Sequence, residues 1–251
     1  MSEIINQVDE QKEKIEENTI SFEKDAQLIS IKELASIFSF HTFLFGKSGS
    51  GKTFLASKGF LAMPYTSIFF NTLGLHEIQG TEVKNTQELD KLLKQDMYNQ
   101  VNLKIKISKK MTEDIEDYAQ RIYPLIKRIQ KHQNIKYEKG TNRPLFFFFD
   151  EVQLFNMLED AILSKKFRAL IKSIALTGRN YKLFGVFISQ RAAIIDKSIM
   201  TQCNSLIGFL EKYDVKYFHQ LHIELPAIEE HTNKFYYLNQ ERIIKLDTNK
   251  V

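Results

Sequence analysis

The chain has no tryptophan, one cysteine and only four prolines in 251 residues. Nowhere does it string together the roughly 18 to 20 apolar residues that a membrane-spanning helix needs. The longest dense apolar runs, Leu145 to Phe149 and Phe184 to Ile188, have the length of buried strands. The lone Cys203 excludes an intrachain disulfide framework and any multi-cysteine metal site, and is read as a small buried apolar residue. The six histidines lack metal-ligand spacing. His41, beside an apolar run, is read as structural. The N-terminus, MSEIINQVDEQKEKIEEN, is acidic and polar, which is the reverse of a secretory signal. The expectation is a protein of the cytoplasm without membrane insertion.

What is present is an ordinary globular composition, 43% hydrophobic, enough for one large domain. Charge is unevenly placed. Residues 1–26 hold eight acids against three lysines, a balance of −5, so the rest of a +4 chain carries +9. The domain expectation is an acidic arm over 1–28 followed by a single domain over 29–251, with a basic insertion at about 75–143. Within that insertion, residues 101–143 hold eleven basic residues against five acids.

Hydrophobic periodicity gives the elements. Ser30 to Glu33 has the form of a capping box opening a short helix to about Phe38. His41 to Phe45 reads as a buried strand, residues 52–60 as a helix and Ser67 to Asn71 as a second strand. A strand at Thr81 to Lys84, a helix from Thr86 to Lys94 and an alternating strand through Val101 to Ile107 follow. From Thr112 to Ile129 runs a long amphipathic helix with Pro124 as a kink point. Leu145 to Phe149 is a strand buried on both faces. Ser164 caps a further helix, Phe184 to Ile188 and Ser205 to Leu210 are core strands, and residues 235–246 form a terminal β-hairpin. Alternating strands and helices predict an α/β fold with a mainly parallel sheet covered on both faces.

Gly46-Lys47-Ser48-Gly49-Ser50-Gly51-Lys52-Thr53 satisfies G-x-x-x-x-G-K-[ST] between an expected strand and an expected helix. Backbone N–H groups at glycines can turn inward as an anion cradle, Lys52 can span the β- and γ-phosphates, and the Thr53 hydroxyl can complete Mg²⁺ coordination. The run Pro144 to Glu151 delivers Asp150 and Glu151 to the carboxyl end of an apolar strand, where open α/β sheets bind ligands. Asp150 is read as the Mg²⁺ ligand through water and Glu151 as the group that polarises the attacking water. Together these motifs define a P-loop NTPase that uses ATP and Mg²⁺.

The segment Thr177-Gly178-Arg179 through Phe187-Ile188-Ser189-Gln190-Arg191, then Ile195 to Ile199 and Gln202 to Asn204, resembles the FtsK/HerA superfamily, and within it the small genome-packaging ATPases of tailless double-stranded DNA viruses. The resemblance covers residues 41–60 and 144–210. It implies a RecA-like sheet, Gln190 as a sensor of the γ-phosphate and Arg179 as an arginine finger reaching a neighbouring subunit, with Arg191 as the alternative. It implies further a homo-oligomeric ring, a hexamer, that translocates double-stranded DNA. If the context is viral, the setting is the host cytoplasm or the virion, with a capsid vertex as partner. A host or conjugative DNA motor, a filamentous-phage assembly ATPase and a nucleotide-binding regulatory module stay open as alternatives.

Overall fold

The computed structural model describes residues 35–38, 40–99, 102–208, 217–218, 234–238 and 243–247. Among these residues nine strands form one sheet in the order β3-β4-β2-β5-β6-β1-β7-β8-β9. In chain order they are β1 (Thr42–Phe45), β2 (Thr66–Asn71), β3 (Thr81–Glu82), β4 (Lys104–Ser108), β5 (Leu145–Phe149), β6 (Leu183–Ser189), β7 (Ser205–Gly208), β8 (Lys234–Leu238) and β9 (Ile243–Asp247). Strands β1 to β7 pair in parallel. The last two pair antiparallel, β8 on β7 and β9 on β8. Among the described residues five helices connect the strands: α1 (Lys52–Ala62), α2 (Thr86–Asn99), α3 (Ile115–Glu138), α4 (Ala161–Thr177) and the short α5 (Lys197–Met200).

A parallel sheet needs cover on both faces, and the period-2 alternation of β5 supplies it. Leu145, Phe147 and Phe149 point into one core with α3 and α4, including Tyr118, Ile122, Ile126, Phe167 and Ile174. Phe146 and Phe148 point into the other, with Leu55, Ala56 and Phe60 of α1 and with Phe38. Phenylalanines on neighbouring strands stack across the sheet. Phe149 lies 4.8 Å from Phe70 on β2 and 6.0 Å from Phe187 on β6, with rings nearly parallel to both. Offset-stacked aromatic pairs each contribute about 0.5–1.5 kcal/mol beyond area burial. This row locks the register of β2, β5 and β6, and so fixes where their carboxyl ends lie.

Some polar groups of the frame tie its elements together. His41 Nδ1 accepts from the Gly185 N–H at 2.9 Å, tying the start of β1 to β6. Burial, and then the charge of Arg179, lower the His41 pKa to about 4, so the imidazole is neutral. Lys104 on β4 reaches across to donate to the Met63 and Tyr65 carbonyls just past the end of α1. Burial lowers its pKa to about 8.

Several expectations need correction. They concern the bounds of elements; the basic stretch itself carries part of the common sheet, with β3 at its edge and β4 next to it, and its α3 packs into the main core. The helix expected to begin at Ser164 begins at Ala161. Asp160 caps it, its carboxylate accepting from the Ile162 and Leu163 N–H groups. Ser164 lies buried one turn in, donating to the Phe155 carbonyl at 3.3 Å. An acid at N-cap competes better for those two donors than a hydroxyl. Pro124 does not interrupt α3. Its missing N–H falls on an exposed part of the helix, where the carbonyl left without its usual partner can meet water. The strand expected over 81–84 spans only Thr81–Glu82, and that expected over 101–107 begins at Lys104. The capping box at 30–33, the arm over 1–28 and residues 209–210 lie outside the described residues.

Replacing Phe149 with alanine removes a fully buried ring from the middle of this row. The expected cost is about 3–5 kcal/mol, read as a lower urea midpoint at unchanged slope. A loss under about 1 kcal/mol would show that the stack does not set sheet stability.

Candidate functional site

The loop from Gly46 to Gly51 joins β1 to α1, and its glycines adopt the backbone shapes an anion cradle needs. Gly46, Gly49 and Gly51 have φ of 149°, 77° and 87°. At Gly51, which immediately precedes α1, a left-handed residue aims the first helical N–H groups into the loop. Lys52 is 4% exposed and its Nζ donates to the Lys47 carbonyl at 2.9 Å. Burial holds the Lys52 pKa below its ordinary value, against the pull of Glu151 and then Asp150.

The acidic pair arrives on β5. The Asp150 N–H donates to the Phe70 carbonyl at 3.1 Å, and the Thr72 hydroxyl donates to the Asp150 carbonyl. The Asp150 side chain is fully buried, and its Oδ1 accepts from the Thr53 hydroxyl at 3.1 Å. Residues 97 positions apart in sequence thus meet. Burial and then the neighbouring Glu151 push the Asp150 pKa up to about 7. Its Oδ2 is buried with no hydrogen-bond partner among the described residues. An unpaired carboxylate oxygen beside a threonine hydroxyl fits a hard, oxygen-seeking cation such as Mg²⁺. Glu151 is 5% exposed and sits at φ 49°, ψ 47°, a left-handed shape unusual for a residue with a side chain.

Gln190 follows β6, which lies between β5 and β1. Phe45 pairs with Ser189, and the Gly46 N–H donates to the Ser189 carbonyl, so Gln190 stands beside the P-loop. Gln190, Glu151, Lys52, Thr53, Ser48, Gly49 and Gly51 all line one cleft of about 510 Å³. The cleft is lined as well by a loop that sequence reasoning missed, with Leu73 and residues 75–78, pinned by Asn71, whose Nδ2 donates to the His76 carbonyl at 2.8 Å. Thr72 was missed as well. Its only signal is that it follows β2, and only the β2–β5 pairing reveals that this puts it on Asp150.

Arg179 is elsewhere. It lies in the short turn Gly178–Tyr181 before β6, at the amino ends of the strands. The seven residues of β6 separate it from Gln190, roughly 20 Å at strand rise. Its guanidinium donates to the Gln202 carbonyl at 2.8 Å and to Asn204 Oδ1. It cannot reach its own chain's cleft. Arg191 is exposed and adjoins Gln190 at the cleft end of the sheet.

The basic surface is thinner than the sequence count suggests. Arg121 is held by Glu113 and the Ser108 carbonyl, Arg128 by Asp90, Lys106 by Glu82, and the half-buried Lys104 donates to carbonyls. Lys110, Lys127, Lys131 and Lys139 stay exposed. Among the described residues no helix is long and apolar enough to cross a membrane.

A glycine cradle at a helix start, with its threonine on the aspartate of a buried neighbouring strand, makes this a P-loop NTPase fold. Solved structures share it. The genome-packaging NTPase B204 from Sulfolobus turreted icosahedral virus 2, in complex with ATP-gammaS, is 13% identical with a TM-score of 0.53, over 82% of this chain and 96% of that one. The pCW3 conjugation coupling protein TcpA is 12% identical at 0.51, over 83% of this chain and 60% of that one. The cytoplasmic domain of the Thermomonospora curvata type VII secretion ATPase EccC is 17% identical at 0.50, over 82% and 25%. No protein-family model and no curated protein matches the sequence. The likeness is one of fold, and it falls on the same group of ATPases as the sequence resemblance.

An aspartate whose pKa is raised on folding binds its proton more tightly in the native state, so it lowers stability as pH climbs from about 4 through about 7. Asp150→Asn keeps the acceptor for Thr53 and removes that charge. Without nucleotide or Mg²⁺, it should melt higher than the parent at pH 8, by on the order of a few degrees, and equally at pH 4. A gap of the same size at both pH values would deny the buried charge.

Proposed function

We propose that this chain hydrolyses the terminal phosphate of ATP with Mg²⁺, and that copies assembled in a ring, a homohexamer, couple hydrolysis to translocation of double-stranded DNA, with packaging of a viral genome at a capsid vertex as the setting. The hydrolytic part rests on one observation, the buried meeting of Thr53 with Asp150 beside Glu151 and Lys52. The motor part is supported by the fold shared with a genome-packaging NTPase that this chain covers almost end to end. The resemblance of residues 177–204 points the same way.

Each residue has a task that follows from its place. The P-loop N–H groups bind the phosphates, and Lys52 exchanges the Lys47 carbonyl for phosphate oxygens. Thr53 and Asp150 would hold Mg²⁺, which when bound neutralises charge on the phosphate oxygens. Glu151 polarises the attacking water and accepts its proton. Gln190, an uncharged amide beside the P-loop, contacts the γ-phosphate or that water without competing for the proton. Arg179 can serve a phosphate only on a neighbouring copy.

Lys52→Ala should abolish nucleotide binding, whereas Glu151→Gln should bind ATP normally and fail to turn it over, because the lysine meets charge already on ATP and the glutamate acts on the water. Equal loss of affinity in both would remove Glu151 from that role.

Double-stranded DNA should raise turnover. Neutralising exposed Lys127 and Lys131 should weaken DNA binding and flatten the slope of log affinity against log salt, by up to about one unit for each phosphate that is no longer neutralised. The secretion ATPase of the same fold supplies the rival reading, a protein-moving ATPase, and full turnover indifferent to DNA would favour it.

Mixing Arg179→Ala with Lys52→Ala, each inactive alone, should recover activity, because a good arginine then faces a good pocket. The single Arg179→Ala loss should be on the order of a thousandfold in turnover with ATP affinity nearly unchanged. No recovery in demonstrably mixed assemblies would exclude Arg179, and the same mixture with Arg191→Ala tests the alternative.

A further inference from the structure

Past Glu151 the chain turns at once into the short 3-10 segment Val152–Asn156, closed by the Leu154 N–H on the Glu151 carbonyl at 2.9 Å. That turn brings the side chain two positions on, Gln153, back against Glu151. The Gln153 amide nitrogen donates to Glu151 Oε2, and both side chains are buried, at 3% and 5% exposure. The other end of the amide, Gln153 Oε1, is buried with no hydrogen-bond partner among the described residues.

This arrangement is costly unless the carboxylate requires it. A buried amide oxygen without a donor gives up its hydration for nothing in return, and an apolar residue would fill the space without that loss. The bond it makes in return is charge-assisted, in a low-dielectric pocket where such bonds are strongest. Only one amide orientation serves, because the flipped amide would set oxygen against oxygen.

The direction of the hold separates two roles. A latch would draw the carboxylate away from the nucleotide. Here the held Glu151 still lines the cleft with Thr53 and Gln190, and its charge is the larger of the two carboxylate influences on Lys52. We infer that Gln153 is a positioning residue for hydrolysis: it grips Glu151 by Oε2 and leaves Oε1 for the attacking water. The inference rests on the hydrolytic role proposed for Glu151. In the steps of that reaction Gln153 exchanges no proton and touches no phosphate.

The test compares Gln153→Met, which keeps length and lacks the donor, with Gln153→Ala, both in the full chain with Mg²⁺ and ATP. Without the grip the glutamate wanders among rotamers, and turnover should fall on the order of ten- to a hundredfold, the usual loss for a reacting group misplaced by about an ångström. The KM for ATP and the affinity for a fluorescent ATP analogue should stay within about twofold, since uniform binding is untouched. Retained analogue binding also reports that both variants fold. Adding Gln153→Met to Glu151→Gln should cost nothing further, because the residue it positions is already disabled. Unchanged or raised turnover, or a parallel loss of nucleotide affinity, would overturn the inference. The reading beneath it fails separately: if Glu151→Gln still hydrolyses ATP at the parental rate, Glu151 has no such role. If Glu151→Gln is dead and Gln153→Met is fully active, only the grip is wrong.

Discussion

Two adjacent carboxylates at the end of a strand buried on both faces form the constraint around which this molecule is organised. Like charges taken out of water repel and resist ionising, and the pKa of Asp150, pushed up to about 7, records that tension. The surroundings answer it group by group. Thr53 donates to the side chain of Asp150 and Thr72 to its carbonyl, Lys52 lies within reach of both charges, and Gln153 takes Glu151. None of these would hold without the phenylalanine row that sets β2, β5 and β6 in register, because a slip of one residue would turn Asp150 to the other face. The same tension makes the site receptive, since a divalent cation and a polyphosphate bring charges that balance those the protein holds there.

Much of this was legible in the sequence because it is local. The P-loop is eight consecutive residues, and each has a task set by backbone geometry or reach. Asp150 and Glu151 announce themselves by following five apolar residues, and the antiparallel ending over β8 and β9 follows from two β-rich runs around a polar turn. What was illegible depends on pairing between distant segments. Thr72 gains meaning only from the contact of β2 with β5. Gln153 looks like any loop glutamine until the left-handed turn at Glu151 folds it inward.

The effect of charge depends on the fold for a related reason. Eleven basic residues between the two nucleotide motifs resemble a polyanion surface when counted. In the fold, Glu113, Asp90 and Glu82 neutralise three of them, and the half-buried Lys104 is occupied by the carbonyls that follow α1. Sequence counts sum charge over a segment, whereas a partner meets only what the neighbouring elements leave exposed.

The placing of Arg179 has a consequence for symmetry. The chemistry sits at the carboxyl ends of the strands and the Arg179 clasp on Gln202 and Asn204 at their amino ends, so the molecule has a head and a tail. In a two-fold dimer residue i meets residue j while j meets i, so an antiparallel, side-by-side pairing could bring each arginine to the other copy's nucleotide, and the exchange would end at two copies. A heterologous contact, tail to head, passes the arginine from each copy to the next, and a rotation that repeats that contact must close into a ring or run on as a filament. The end of the sheet at which one side chain sits therefore demands that, for an arginine acting in trans, the tail of one copy faces the head of another.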